Sequence, residues 1–143
     1  MEKIKAFGIC LYKYHKNSIE VLLCKSVKSN RKWGFLKGVA LKNEIGIQTA
    51  RREFEEESNV KIEEKYFEKC FFQKNEFKDI SIYLLNYQNV KNIDIYFNNN
   101  VLKKENLSCE NSAVTFFNIK KLPSIKNKQK DIMVNIVEYL STK

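Results

Sequence analysis

The chain is predicted to fold as an α/β or α+β sandwich in a single domain, residues 1–143. Three observations predict it. Strand-like segments come first, a helix lies mid-chain, more strands follow and a helix closes the chain, an order that layered sandwiches share. The length of 143 residues suits one hydrophobic core. Hydrophobic residues at 43% and charged residues at 30% exclude a disordered chain.

The elements follow in order. Ile4 to Tyr14 is apolar and aromatic, and reads as a strand. His15-Lys16-Asn17-Ser18 supplies a turn, and Ile19 to Ser26 returns as the second arm of a hairpin. Val27 to Lys32 is a polar loop. Trp33-Gly34-Phe35 is a short apolar strand leading into Lys37-Gly38. Ile47 to about Ser58 is a helix, with Ile47, Ala50 and Phe54 on the stripe suited to burial. Lys61 to Gln73 reads as one long strand centred on Cys70-Phe71-Phe72. Lys74 to Asp79 is a polar turn. Ile80, Ile82 and Leu84 alternate with Ser81 and Tyr83, the period of a half-buried strand. Asn86 to Lys104 has no clear period, with Asp94 to Phe97 as a candidate short strand and Asn98-Asn99-Asn100 as a loop. Ala113 to Phe117 is a further strand. After Leu122-Pro123 comes the last helix, its apolar stripe marked by Ile125, Ile132, Ile136, Val137 and Leu140.

No apolar run is long enough to span a bilayer. The start, Met1-Glu2-Lys3-Ile4-Lys5, lacks the architecture of a signal peptide, so no membrane partner and a cytoplasmic location are expected. Cys10, Cys24, Cys70 and Cys109 are widely spaced without a CxxC pair. They are expected to be reduced core or half-buried residues rather than a metal site or disulfides. The net charge of +9 suits an anionic partner such as polyphosphate or RNA. A Lys-, Asn- and Ile-rich, Gly- and Pro-poor composition of the kind an AT-rich genome produces accounts for it equally well.

The mid-chain helix carries the chemistry. Glu53, Glu56 and Glu57 stand at i, i+3 and i+4 and share one face. Carboxylates so crowded destabilise an isolated helix. A hard divalent cation with oxygen ligands is the simplest compensation.

The segment from Gly38 to Val60 resembles the signature of the Nudix hydrolases. That pattern runs Gly, five residues, Glu, seven residues, then Arg-Glu-apolar-any-Glu-Glu-any-Gly-apolar. Gly38, Glu44, Arg52, Glu53, Phe54, Glu56, Glu57 and Val60 fit it. Asn59 stands where the family has Gly, and Asn43 where many members have Gly before the first Glu. Both positions call for a left-handed backbone, and Asn is the non-glycine residue that tolerates it best.

The resemblance implies an α/β/α sandwich with a mixed sheet between helices, and hydrolysis of a diphosphate linkage with Mg²⁺ or Mn²⁺ as cofactor. By the same resemblance Glu53, Glu56 and Glu57 are metal ligands, with the backbone carbonyl at Gly38 completing the shell. Arg52 would orient the carboxylates, with Glu56 one turn ahead as its partner. Glu44 would serve beside the site, at an extra metal position or toward substrate. The general base is open between Glu53 and a distal glutamate. Glu110, just before a strand, is the first distal candidate, followed by Glu105 and Glu76.

Trp33-Gly34-Phe35-Leu36-Lys37-Gly38 resembles the WGFPKG entry of diadenosine polyphosphate hydrolases and RNA 5′ pyrophosphohydrolases, with Leu36 in place of Pro. Trp33 and Phe35 also suit simple core filling. Phe116-Phe117-Asn118-Ile119-Lys120-Lys121-Leu122-Pro123 resembles the strand-to-helix passage of the same enzymes. Lys37 would reach a phosphate as a point charge. Tyr12, Tyr83 and Phe77 are candidates for stacking on a base. The expected substrate is a nucleoside polyphosphate, either a dinucleoside polyphosphate or an RNA 5′ triphosphate end. The alternatives are a pool-sanitising pyrophosphatase acting on nucleoside triphosphates and a non-catalytic module that binds nucleotide or RNA.

Overall fold

The computed structural model describes residues 3–28 and 31–143. Ser29 and Asn30 of the expected Val27–Lys32 loop, and Met1 and Glu2, lie outside the described residues. The chain forms a mixed sheet with a helix on each face, the layered arrangement that the element order predicts.

Strand β1 (Ile4–His15) is the spine. It turns at Lys16 and Asn17 into β2 (Ser18–Ser26), with His15 opposite Ser18. Both turn residues have positive φ, 48° and 66°, as a two-residue hairpin of matching twist requires. β3 (Trp33–Gly34) pairs with β2, and β4 (Leu36–Val39) pairs with the first half of β1. Helix α1 (Gly46–Ser58) follows. Then come β5 (Cys70–Gln73), β6 (Lys78–Asn86), the short β7 (Phe97–Asn98) and β8 (Val101–Leu102), and β9 (Asn111–Asn118). Helix α2 (Lys130–Ser141) comes last. The strand order is β5-β6-β1-β2-β9-β8-β7. β1 and β6 run parallel from Ile4–Lys78 to Tyr12–Asn86, which makes the sheet mixed.

Alternation along β1 divides the core. Ile9 and Leu11 face α1 and pack with Leu22, Leu36, Ala50 and Phe54. Cys10 and Tyr12 face the other way, toward Phe35 and the α2 residues Ile132, Met133, Ile136 and Leu140. Among the described residues no helix is long and apolar enough to cross a membrane.

Four expectations are corrected. The long strand from Lys61 to Gln73 is a strand only over Cys70–Gln73, preceded by a 3₁₀ turn at Glu64–Tyr66. Val60 and Ile62 are buried, but their N–H groups donate to Ser58 Oγ (3.1 Å) and Glu55 Oε2 (2.9 Å) instead of to a neighbouring strand. Asp94 to Phe97 is largely a 3₁₀ turn, Ile93–Tyr96, entered through Asn92 at φ 55°. Ile125 lies before α2; the extended chain around it bonds to Trp33 through Trp33 N–H to Ser124 C=O (2.9 Å) and Lys126 N–H to Trp33 C=O (3.0 Å). Tyr12 cannot stack on a base. It has no exposed surface, and its hydroxyl donates to Glu68 Oε1 at 2.7 Å.

The other aromatics sort by burial. Phe35 is core, and Trp33 is half-buried edge-on to Phe117 with ring centres 4.7 Å apart. Tyr83 packs on Phe67, while Phe77 is exposed. All four cysteines are free. Cys10 and Cys24 are buried, whereas Cys70 and Cys109 are exposed.

Candidate active site

The site is built by the chain reversal between β4 and α1. β4 lies antiparallel to β1, with Gly38 opposite Phe7. The chain leaves it through Asn43, at φ 67°, and enters α1 behind Ile45, whose N–H donates to Gln48 Oε1 at 3.1 Å. Helix α1 ends at Asn59 in the left-handed region (φ 59°, ψ 16°), its N–H bonded to Glu55 C=O at 2.8 Å. Both asparagines thus occupy the backbone conformation expected where the signature carries glycine.

Arg52 is the hub. Its Nε and Nη2 fork onto Glu44, at 2.7 Å to Oε2 and 3.0 Å to Oε1. Nη1 donates to Glu53 Oε2 at 2.8 Å and Glu56 Oε1 at 3.2 Å, and Nη2 also reaches Val39 C=O at 3.2 Å. Glu44 is engaged on every side. Its Oε1 also accepts Thr49 Oγ1–H (2.7 Å) and Leu41 N–H (2.9 Å). Hydrogen bonds from Arg52, chiefly, hold its carboxyl down at about 2. Glu44 therefore pins the loop to α1 and anchors Arg52, with no oxygen left unbonded for substrate.

Glu57 is the opposite case. It is 7% exposed; Asn111 Nδ2 donates to its Oε2 at 3.1 Å, and its Oε1 is buried with no partner among the described residues. Burial pushes its carboxyl up to about 7, with Glu53 and Glu110 adding to the rise and Asn111 and Lys37 opposing it. Burial also raises Glu53, opposed by Arg52. Glu56 projects from the exposed part of the same face.

Gly38 sits directly against Glu53. A Cβ on Gly38 would overlap the Glu53 carboxyl group. Gly38→Ala is accordingly expected to displace that carboxylate and cut turnover by roughly 100-fold, the scale of a small misplacement in a reacting site. The fold should stay intact, since the added methyl meets a side-chain end. Steady-state kinetics beside a circular dichroism spectrum check this, and wild-type turnover would refute the contact.

Glu110 lies in the turn before β9, exposed, with its C=O accepting Val27 N–H at 2.9 Å. It is close enough to raise the pKa of both Glu53 and Glu57. A cavity of about 340 Å³ lined by Ser26, Val27, Lys28, Cys109 and Glu110 opens beside it. Glu105, on the 3₁₀ turn Lys104–Asn106, and Glu76, before β6, are both exposed. Lys37 follows Leu36 on β4, and its ammonium is lowered to about 8 by burial and by the like charges of Lys78 and Lys126.

Two neighbours of Glu57 carried no signal in the sequence. Asn111 donates to it across 54 residues of chain, and Cys24 Sγ approaches the same oxygen at 3.9 Å. Nothing in their spacing from the helix could have marked them.

The donor chemistry suits a hard divalent cation. Glu57 keeps a buried carboxylate oxygen with no partner among the described residues, and a glycine is pressed against Glu53. Among the described residues the carboxylates do not converge as a ready cage; Arg52 bridges Glu53 and Glu56.

A family model described as NUDIX domain matches residues 2–138. No curated protein matches the sequence significantly. Among solved structures, the chain is similar to a C. elegans Ap4A hydrolase in a binary complex, with TM-score 0.68 and 20% identity over 98% of this chain and 99% of that one. The NUDIX domain of Shewanella oneidensis NrtR complexed with ADP ribose gives TM-score 0.66 and 17% identity over 98% and 90%. A NUDIX hydrolase from Nitrosomonas europaea gives TM-score 0.66 and 18% identity over 100% and 73%. At such identities the likeness is one of fold.

Proposed function

Because the chain belongs to the Nudix family, its family model spanning residues 2–138, we propose that it is a metal-dependent pyrophosphohydrolase of nucleoside polyphosphates. The substrate is a dinucleoside polyphosphate or an RNA 5′ triphosphate end. The observation that carries this reading is Glu57, a buried carboxylate with a free oxygen and two further carboxylates acting on it. A protein keeps such a group at a cost unless a ligand satisfies it.

Glu53, Glu56, Glu57 and the Gly38 carbonyl would hold Mg²⁺ or Mn²⁺. When bound, such an ion neutralises phosphate charge and lowers the pKa of a coordinated water. The chain's own residues do the rest. Arg52 orients Glu53 and Glu56 and is itself fixed by Glu44. Glu53 or Glu110 takes the proton as water forms a new P–O bond and the anhydride P–O bond breaks. Lys37 meets a phosphate oxygen. The solved Ap4A hydrolase supports a dinucleoside substrate, and the basic charge supports RNA. A cytoplasmic location belongs to the same reading.

Purified protein with Mg²⁺ or Mn²⁺ is tested on diadenosine tetraphosphate, nucleoside triphosphates, ADP-ribose and triphosphorylated RNA, with products resolved by chromatography. Cleavage of the first or last is expected to dominate. Turnover confined to the nucleoside triphosphates would favour the pool-sanitising reading. No cleavage of any would leave a nucleotide- or RNA-binding module in its place.

A further inference from the structure

Asn111 reaches the carboxylate site through an irregularity in the sheet. β2 and β9 pair in regular register from Glu20–Asn118 to Lys25–Ala113. The next pair is Ser26–Asn111, so Ser112 is an extra residue. Phe116 and Val114 face α1, and unbroken alternation would bring Ser112 to that face. The bulge instead leaves Ser112 exposed, its hydroxyl donating to Lys25 C=O at 3.2 Å. Asn111 takes the inward place and is 8% exposed. Bulges re-aim side chains in this way and concentrate beside active sites.

The inward place lies against Glu57. Asn111 Nδ2 donates to Glu57 Oε2 at 3.1 Å, and Cys24 Sγ lies 3.9 Å from the same oxygen. Cys24 is buried on β2, opposite Val114 and beside the bulge. Both contacts fall on Oε2, whereas Oε1 is buried with no partner among the described residues. The two oxygens of one carboxylate are therefore unequal. Oε2 is held by the fold, and Oε1 is left to donate.

We propose that Asn111 sets the metal preference: by holding Oε2 it makes Glu57 a one-oxygen ligand, which favours Mg²⁺ or Mn²⁺ over Ca²⁺. The inference rests on the hydrolase reading above. Ca²⁺ takes about six to eight oxygens in a flexible shell and accepts both from one carboxylate. Mg²⁺ demands a near-octahedral shell, and Mn²⁺ shares the octahedral oxygen preference. A carboxylate with one oxygen engaged elsewhere suits the second kind of shell. Asn111 acts through Glu57 and is a positioning residue, as groups that orient a metal's ligands are.

Mn²⁺ and Ca²⁺ are each titrated calorimetrically into protein freed of metal by EDTA and dialysis. The wild type should bind Mn²⁺ the more tightly. Asn111→Ala is expected to weaken Mn²⁺ binding by about tenfold, the scale of losing a group that orients a ligand. Ca²⁺, offered both oxygens once Oε2 is released, should change little, so the preference for Mn²⁺ narrows. Asn111→Leu keeps the side-chain bulk without the donor and should narrow it too; it serves if the alanine variant does not fold. Gln73→Ala removes a different buried amide, one whose Oε1 accepts Ile132 N–H at 2.9 Å on the α2 face. It should lower the urea midpoint and leave both affinities unchanged. Equal weakening of both ions in Asn111→Ala, an unchanged Mn²⁺ affinity, or the same narrowing in Gln73→Ala overturns the proposal. If the wild type binds Mn²⁺ yet hydrolyses none of the nucleotides, the hydrolase reading fails alone, and the titrations still decide Asn111. A wild type that binds neither ion overturns both.

Discussion

Replacing Glu57 with glutamine should abolish most activity and, without metal, make the protein more stable at pH 8. The activity loss is expected to be roughly three orders of magnitude, corresponding to several kcal/mol of lost charge stabilisation. The stability gain follows from linkage. The Glu57 carboxyl rises from 4.5 to about 7 in the folded protein, mainly through burial. Between those values the folded state binds more protons than the unfolded one. Stability therefore falls as pH rises through that window. The full shift corresponds to roughly 3 kcal/mol. Glutamine removes the buried charge, so urea unfolding in EDTA should show a flatter dependence between pH 5 and 8. Added Mg²⁺ should raise the wild-type midpoint by mass action and leave the Glu57→Gln midpoint nearly unmoved. A wild type with flat stability across that range would contradict the buried, unpartnered oxygen.

Arg52→Ala is the second. It removes a fork from Glu44 and the donors to Glu53 and Glu56 in one change. The guanidinium is 24% exposed, so solvent offsets part of the loss. A destabilisation of about 2 kcal/mol is expected, with turnover down by roughly 10- to 100-fold as the carboxylates lose their orientation. Arg52→Lys should recover little, because an ammonium cannot fork onto Glu44. The acid limb adds a signature. Glu44 is held at about 2, below its ordinary 4.5, so its contribution is present above 4.5 and lost as pH falls toward 2. That acid-dependent loss should shrink in Arg52→Ala, as read by unfolding at pH 3 and pH 6. An unchanged acid limb would remove Arg52 from the centre of the network.

Much of this was legible because it is local. The hairpin turn at Lys16-Asn17, the alternation in β6 and the helix Gly46–Ser58 are each written within a few residues. The left-handed backbones at Asn43 and Asn59 follow from residue type and position in the signature. The errors share a cause as well. An apolar run signals burial without naming the partner that supplies its hydrogen bonds. Val60 and Ile62 are buried as their character suggests, but α1 side chains take their N–H groups, so no strand forms there. Ile125 is apolar and buried, yet its segment bonds to Trp33 and stays extended.

The sequence by itself determined the spacing of Gly38, Glu44, Arg52, Glu53, Glu56 and Glu57, and with it the family and the face of the helix that carries the carboxylates. Helical periodicity makes that face a property of the chain alone. Only the tertiary structure divided those carboxylates. Glu44 is saturated by Arg52, Thr49 and Leu41, while Glu57 is buried beside Asn111 with one oxygen unpaired among the described residues. It also gathered five lysines from β4, β6 and the flanking loops around one cavity. Burial and through-space charge depend on which distant segments meet, and no local pattern encodes that meeting.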